Sequence, residues 1–280
     1  MINNIVFSGG AFRGPAFFGT IRALQEIKKK NPESIKVQTI VGNSIGSMYG
    51  LFYLFDLPWD VLLKRYLELD FTQLMCMGNV LQTHSITTQS KLKKVIADVL
   101  KEHNINPEIT FIESYKLTGI HYFCNAINID TRKHVMFECN STPELKILDA
   151  VMASSCLPLL FPPVVINGER YYDGGICNAC PSDYVSETST IAFSLYVKGE
   201  STKEHPIGAL IKTITFLLHE GKQCENIYYI LEGSECQKSF HDLMYKVNQT
   251  RDEIFTLYMY GYKKSLEVLH SRNSITYSKT

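Results

Sequence analysis

Two strand–turn–helix units stand in succession at the start of this chain, and they leave it little choice of fold class. Residues 5–7 form a short apolar run that opens into Ser8-Gly9-Gly10-Ala11-Phe12-Arg13-Gly14. Residues 15–30 follow, with Phe17, Ile21, Leu24 and Ile27 at helical spacing and three lysines, Lys28 to Lys30, at the end. Apolar side chains three and four residues apart share one helix face, and cations suit the negative end of the helix dipole. The pattern then repeats. Residues 35–41 are rich in β-formers, enter Gly42-Asn43-Ser44-Ile45-Gly46, and give way to an apolar helix expected to run to about Phe55. Strands joined through helices run parallel, and a parallel sheet needs helices over its faces.

Downstream, residues 58–69 and 90–103 have helical spacing, the second with Ser90 in the N-cap position. Residues 119–129 and 134–138 read as paired strands joined by a turn at 130–133. Ser141 and Glu144 have capping-box spacing, with Pro143 near the first helical position, which predicts a helix to about Ser154. Residues 190–197 are the last strong strand signal, and after Pro206 the chain reads as mainly helical. No repeat, low-complexity tract or linker divides it. The expected organisation is a core over residues 1–200, with 201–280 as a mainly helical extension packed on the same domain.

Composition narrows the class. With 280 residues, 45% hydrophobic and 20% charged, the chain can bury a full core, which excludes disorder. Lys+Arg and Asp+Glu are both 28, so it lacks the basic field that nucleic-acid binding needs. The most apolar stretches, 48–57 and 206–218, carry Asp56 and Lys212 and fall well short of the ~20 residues a membrane crossing takes. The first residues show no signal-peptide pattern. Eight cysteines scattered through a chain of this size read as reduced cytoplasmic thiols, and the sequons at Asn140 and Asn248 as chance matches.

Three short motifs could carry chemistry. In Gly42-Asn43-Ser44-Ile45-Gly46, flanking glycines allow a sharp strand-to-helix turn that lifts a serine hydroxyl to the carboxyl end of a sheet strand. Taken alone it is a common tight turn; an apolar strand before it and an apolar helix after it favour a nucleophile elbow. Ser8 to Gly14 could let backbone N–H groups converge on an anion, or could be a structural turn. It is no dinucleotide loop, because Ala11 stands where the second glycine belongs, and no Gly-Lys-Ser/Thr completes a P-loop. Asp173-Gly174-Gly175 is either an ordinary Asp-Gly turn or a carboxylate placed to accept a serine proton.

Together and in this order, these motifs resemble the patatin-like phospholipase family. The likeness lies in four stretches: Ser8 to Gly14, Gly42 to Gly46, residues 149–163 (Asp-Ala-Val-Met-Ala-Ser-Ser-Cys-Leu-Pro-Leu-Leu-Phe-Pro-Pro), and residues 172–181 around Asp173-Gly174-Gly175. It spans roughly residues 5–197, and the long third stretch makes it more specific than any short motif. The resemblance implies a three-layer α/β/α sandwich with a mostly parallel central sheet, and a Ser–Asp dyad with Ser44 as nucleophile and Asp173 as base. It also implies an oxyanion hole from the N–H groups of Gly9, Gly10 and Ala11, with Arg13 as the basic residue beside it. Ala11 departs from the family, which usually has a third glycine there; a positive φ would strain an alanine. The implied substrates are glycerophospholipids and other fatty-acyl esters; with zero net charge, no spanning segment and no export signal, peripheral contact with membranes from the cytoplasm is expected, by apolar contact and only locally by charge. An acyl chain could lie against Phe17, Phe18 and the aromatics of residues 51–55, although core packing is the expected role for most of them.

Other features read as structural. Cys177-Asn178-Ala179-Cys180 has metal-ligand spacing but no second pair. His84, His121, His134, His205 and His219 lie in no recognisable motif. No calcium-loop pattern or carboxylate cluster is visible, so no metal or cofactor is expected. The stretch 206–218 is either a buried helix or an apolar membrane anchor. Two rivals to a lipid acyl hydrolase stay open: a thioesterase or general carboxylesterase using the same dyad, and a catalytically dead lipid-binding module. The intact Ser44 and Asp173 speak against the second.

Overall fold

The computed structural model describes residues 1–70, 87–196, 227–231, 243, 246 and 248–277. In chain order the elements are β1 (Ile2–Phe7), α1 (Pro15–Lys30), β2 (Ile35–Asn43), α2 (Ile45–Leu54), α3 (Trp59–Glu68), α4 (Ser90–Glu102), α5 (Phe111–Thr118), β3 (His121–Asn128), β4 (Lys133–Phe137), α6 (Ile147–Ser154), β5 (Val164–Ile166), β6 (Glu169–Asp173), β7 (Thr190–Ser194), β8 (Ile227–Tyr229) and α7 (Arg251–Tyr277). This is a mixed α/β fold with a central sheet flanked by helices.

The sheet runs β5-β6-β3-β2-β1-β7-β8, with β4 also on β3. The pairings among β3, β2, β1, β7 and β8 are parallel, whereas β4 and β6 pair antiparallel with β3, and β5 with β6. One detail positions the candidate site. Cys124 and Asn125 pair with both β2 and β4, while Ala126, Ile127 and Asn128 pair with both β4 and β6. A strand has only two edges, so β2 and β6 share one edge of β3 and meet end to end. There β2 stops at Asn43, opposite Asn125, and β6 stops at Asp173, opposite Ala126.

Alternation along the strands sorts the core. Ile5, Phe7, Ile40, Tyr122, Ile191 and Phe193 belong to the large cluster formed with the helices, where Phe7 meets Phe17 edge-on at 5.2 Å. On the other face the smaller Val6, Val41 and Ala192 pack with Phe123, Met136, Cys180, Val185 and Ile227. Helix α7 lies along α1, and Gly19 and Gly261 let the two backbones touch.

Several local expectations need correcting. Ser90 is the first helical residue of α4, not its cap; Gln89 holds that position. Ser141 does not cap a helix, because the Glu138 carboxylate takes the N–H groups of Asn140 and Ser141 and folds this stretch into a turn. Helix α6 starts only at Ile147. The capping box lies instead at Thr110 and Glu113, opening α5, a helix the sequence reading passed over although the Thr-x-x-Glu spacing is there. Residues 227–229, expected within a helical region, add a parallel strand to β7. The candidate anchor at 206–218, and His84, His205 and His219, lie outside the described residues.

Candidate active site

Ser44 sits between the end of β2 and the start of α2, with φ 52° and ψ −128°. A non-glycine residue in this region of backbone space costs of order 1–3 kcal/mol and is held there by its surroundings. Two of those surroundings are the flanking glycines. A Cβ on Gly42 would lie 2.4 Å from Ser47 Cα, and one on Gly46 would lie 2.3 Å from the Phe7 and Ser8 carbonyl oxygens. These glycines therefore serve close approach, while the left-handed φ falls on the serine itself. The Ser44 N–H donates to Ser154 Oγ at 2.9 Å, and Ser47 Oγ donates to the Ser44 carbonyl at 2.6 Å. As the residue capping α2, Ser44 sits at the positive end of that helix dipole.

Asp173 ends β6 and is 1% exposed. Its N–H donates to the Cys156 carbonyl at 2.8 Å, and its Oδ1 accepts the Gly175 N–H at 2.7 Å. Oδ2 is buried with no formed hydrogen bond. Burial pushes the carboxyl up to about 7, because charge is poorly solvated there; the nearby Ser44 hydroxyl and the Gly175 N–H pull it partly back. The serine hydroxyl is thus close enough to act on the carboxylate but falls short of a formed hydrogen bond. Residues 154–156, at the end of α6, hold both partners, through Ser154 Oγ and the Cys156 carbonyl.

The glycine-rich loop closes over this pair. Ser8 is tied to the end of β7, its N–H to the Phe193 carbonyl at 3.1 Å and its Oγ accepting the Leu195 N–H at 2.9 Å. The Gly9 N–H is committed to the Ala179 carbonyl at 2.9 Å, so it has no proton left for an oxyanion, and that expectation is corrected. The N–H groups of Gly10 and Ala11 have no partner among the described residues. Arg13 is 2% exposed, and its guanidinium lies 5.7 Å from the centre of the Tyr196 ring. Ala11 does take the strained conformation, with φ 47°. A left-handed φ costs an L-residue roughly 1–2 kcal/mol, and glycine's freedom in the unfolded chain returns roughly 0.5–1 of that. Ala11→Gly is therefore expected to raise the melting temperature by about 2 °C with turnover unchanged; a lower melting temperature would mean the methyl group packs well enough to offset the strain.

Three contributors escaped the sequence reading. Asn43 is fully buried, donates Nδ2 to the Ala179 carbonyl at 3.2 Å, and lies where a Cβ on either Gly9 or Gly175 would strike it. The single Ala179 carbonyl thus joins the glycine loop, the elbow and the turn after Asp173. Gln249, just before α7, donates to the Phe12 carbonyl at 2.6 Å. Gly174 packs directly on Asn125, whose Nδ2 donates to the Asn178 carbonyl at 2.9 Å. No described histidine bonds Ser44 or Asp173. His134 bonds Tyr184 and Asn125, and His121 bonds Cys139.

Ser44 opens onto an apolar cavity of about 140 Å³ between α2, α3, α4 and the end of α6. Phe18, Met48, Phe52, Leu62 and Val95 line it. Phe17, Tyr53 and Phe55 do not; as expected for most of these aromatics, they pack in or against the core. Among the described residues no group of three His, Cys, Asp or Glu side chains is placed to hold a metal ion.

A family model described as patatin-like phospholipase matches residues 5–185. The probable lipid hydrolase 463L of Invertebrate iridescent virus 6 is 29% identical over 187 residues, covering 64% of this chain and 61% of its own. Lysophospholipase NTE1 of Kluyveromyces lactis is 26% identical over 181 residues, covering 63% of this chain and 11% of its own. The chain therefore spans less than two thirds of the length of these curated relatives. Among solved structures, VipD from Legionella pneumophila superimposes with a TM-score of 0.63 at 15% identity, covering 96% of this chain and 67% of that one. The type III effector ExoU gives 0.56 at 16% identity, covering 97% and 53%. At such identities the likeness is one of fold.

Proposed function

The chain belongs to the patatin-like phospholipase family, and on that footing we propose that it is a lipid acyl hydrolase that cleaves fatty-acyl esters of glycerophospholipids. Ser44 is the nucleophile and Asp173 its base. Ser44 Oγ attacks the ester carbonyl while its proton passes to Asp173. The developing oxyanion is met by the N–H groups of Gly10 and Ala11 and by the positive end of the α2 dipole. Asp173 then returns the proton to the departing lysophospholipid oxygen, leaving an acyl-enzyme. Water activated by the same carboxylate releases the fatty acid.

The observation that carries the reading is the pairing of a buried serine, which lines an apolar cavity, with a buried carboxylate whose Oδ2 has no formed partner. A carboxylate pushed up to about 7 is a far better base than an ordinary aspartate. The apolar walls suit a fatty-acyl chain, which supports a lipid ester over a polar one. The test is mass-spectrometric identification of products from a mixed phospholipid pool. Free fatty acid and lysophospholipid in equal amounts are expected. Turnover of short soluble esters with phospholipids left intact would instead establish a carboxylesterase.

The same reading expects turnover of a soluble ester to be unchanged by EDTA, because the proposed site holds one carboxylate and no ligand set. Loss of turnover with EDTA, restored by calcium, would overturn it.

A further inference from the structure

Nine consecutive residues beyond the end of α6, Leu157-Pro158-Leu159-Leu160-Phe161-Pro162-Pro163-Val164-Val165, are all apolar, and none of them is buried. Leu159 is 45% exposed and Val165 62%. Soluble surfaces avoid runs of this kind, and those that persist mark an interaction site. Leu159 is also held at φ 68°, a conformation unfavourable to a leucine, which presents its side chain to solvent. The segment is tied in place: the Thr87 N–H donates to the Leu160 carbonyl at 3.0 Å and the Phe161 N–H to that of Leu157 at 3.0 Å. Cys156 Sγ donates to the Pro162 carbonyl at 3.0 Å. Three prolines further restrict it, so little chain entropy remains to be lost on contact.

The segment is continuous with the cavity. Leu157, Leu160 and Phe161 line the space that reaches Ser44, while Leu159 and Val165 face outward from the same stretch. No charged residue occurs between Ser154 and Ile166. We propose that residues 157–165 form a lip that docks on the hydrocarbon boundary of a lipid bilayer, so that an acyl chain passes from the membrane into the cavity without crossing water. The occupant is a lipid surface because the lip is uncharged, apolar without interruption, and one end of it is already the wall of the apolar cavity that reaches Ser44. The Cys156 carbonyl, next to the lip, holds Asp173 in place, so docking sets the membrane at a fixed position relative to the reacting groups. This inference deepens the reading under Proposed function and rests on it for what enters the cavity.

Binding is measured on vesicles of ether-linked phosphatidylcholine, which has no ester to cleave, so the result does not depend on catalysis. The variant is Leu159→Asn with Val165→Thr: asparagine tolerates the left-handed conformation and threonine keeps the shape of valine in β5. The whole chain is expected to bind these vesicles equally at about 0.15 M and about 0.5 M salt, as apolar insertion survives screening. The variant is expected to bind roughly tenfold more weakly or worse, with native near-ultraviolet circular dichroism and unchanged turnover of a short soluble ester. Leu159→Asp alone serves as a second variant. Equal binding by both folded variants would overturn the lip, and so would binding that vanishes at the higher salt. A dimer in lipid-free solution that the substitutions dissolve would give the lip to a second copy of the chain. Absent turnover of the soluble ester in the unsubstituted protein would instead count against the hydrolase reading, leaving the vesicle result to stand by itself.

Discussion

Replacing Ser44 with alanine is expected to lower turnover of a soluble ester on the order of a million-fold, because in the proposed reaction its hydroxyl oxygen forms the covalent bond to the acyl group. Stability should hardly move. The N–H of residue 44 still donates to Ser154 Oγ, and alanine bears the left-handed backbone no worse than serine. A fluorophosphonate should label the unsubstituted protein on Ser44 and leave Ser44→Ala unlabelled. A variant retaining more than a few per cent of activity, or a label on another serine, would sink the assignment.

Asp173→Asn is expected to cost about 10⁴-fold or more, the scale seen when the carboxylate of a serine-protease triad is neutralised, and it carries a distinctive pH signature. With the carboxyl pushed up to about 7, the rate should rise with pH, reach half its plateau near 7, and fall about tenfold per unit in more acid solution. A histidine would give a similar limb; loss of the limb in Asp173→Asn decides between the two. Stability should move the opposite way. A carboxyl whose folded value lies above its unfolded value favours the protonated fold, so its contribution is full below about pH 4 and lost as pH rises through about 7. Above that, burying the charge costs on the order of 4 kcal/mol, which asparagine escapes. Asp173→Asn should therefore melt higher than the unsubstituted protein at about pH 8, with the gap closing in acid. An unchanged rate, or melting curves that stay parallel across this range, would reduce Asp173 to a turn residue.

Much of the fold was legible because its signals are local. The helical spacing of Phe17, Ile21, Leu24 and Ile27 needs only neighbouring residues to state it, and so do the apolar runs of β1 and β2. The same local reasoning misplaced a cap at Ser141, because the Glu138 carboxylate that takes its N–H is a choice among competing partners that spacing does not rank. It also assigned Gly9 an oxyanion role; the Ala179 carbonyl, far along the chain, had already claimed that N–H.

Pattern alone was enough for an α/β chain with a serine in a strand-to-helix turn and an aspartate in a glycine turn, since turn chemistry and periodicity belong to short segments. Their meeting was decided only in three dimensions. Ser44 and Asp173 come to the same place because β2 and β6 share one edge of β3 and stop opposite adjacent residues, Asn125 and Ala126, a matter of register between segments distant in sequence. Ser154, 110 residues beyond Ser44, accepts the Ser44 N–H, and no local rule couples the two. The basicity of Asp173 likewise arises from burial, a sum over every element packed around it, and so belongs to the tertiary structure rather than to the residues Asp-Gly-Gly.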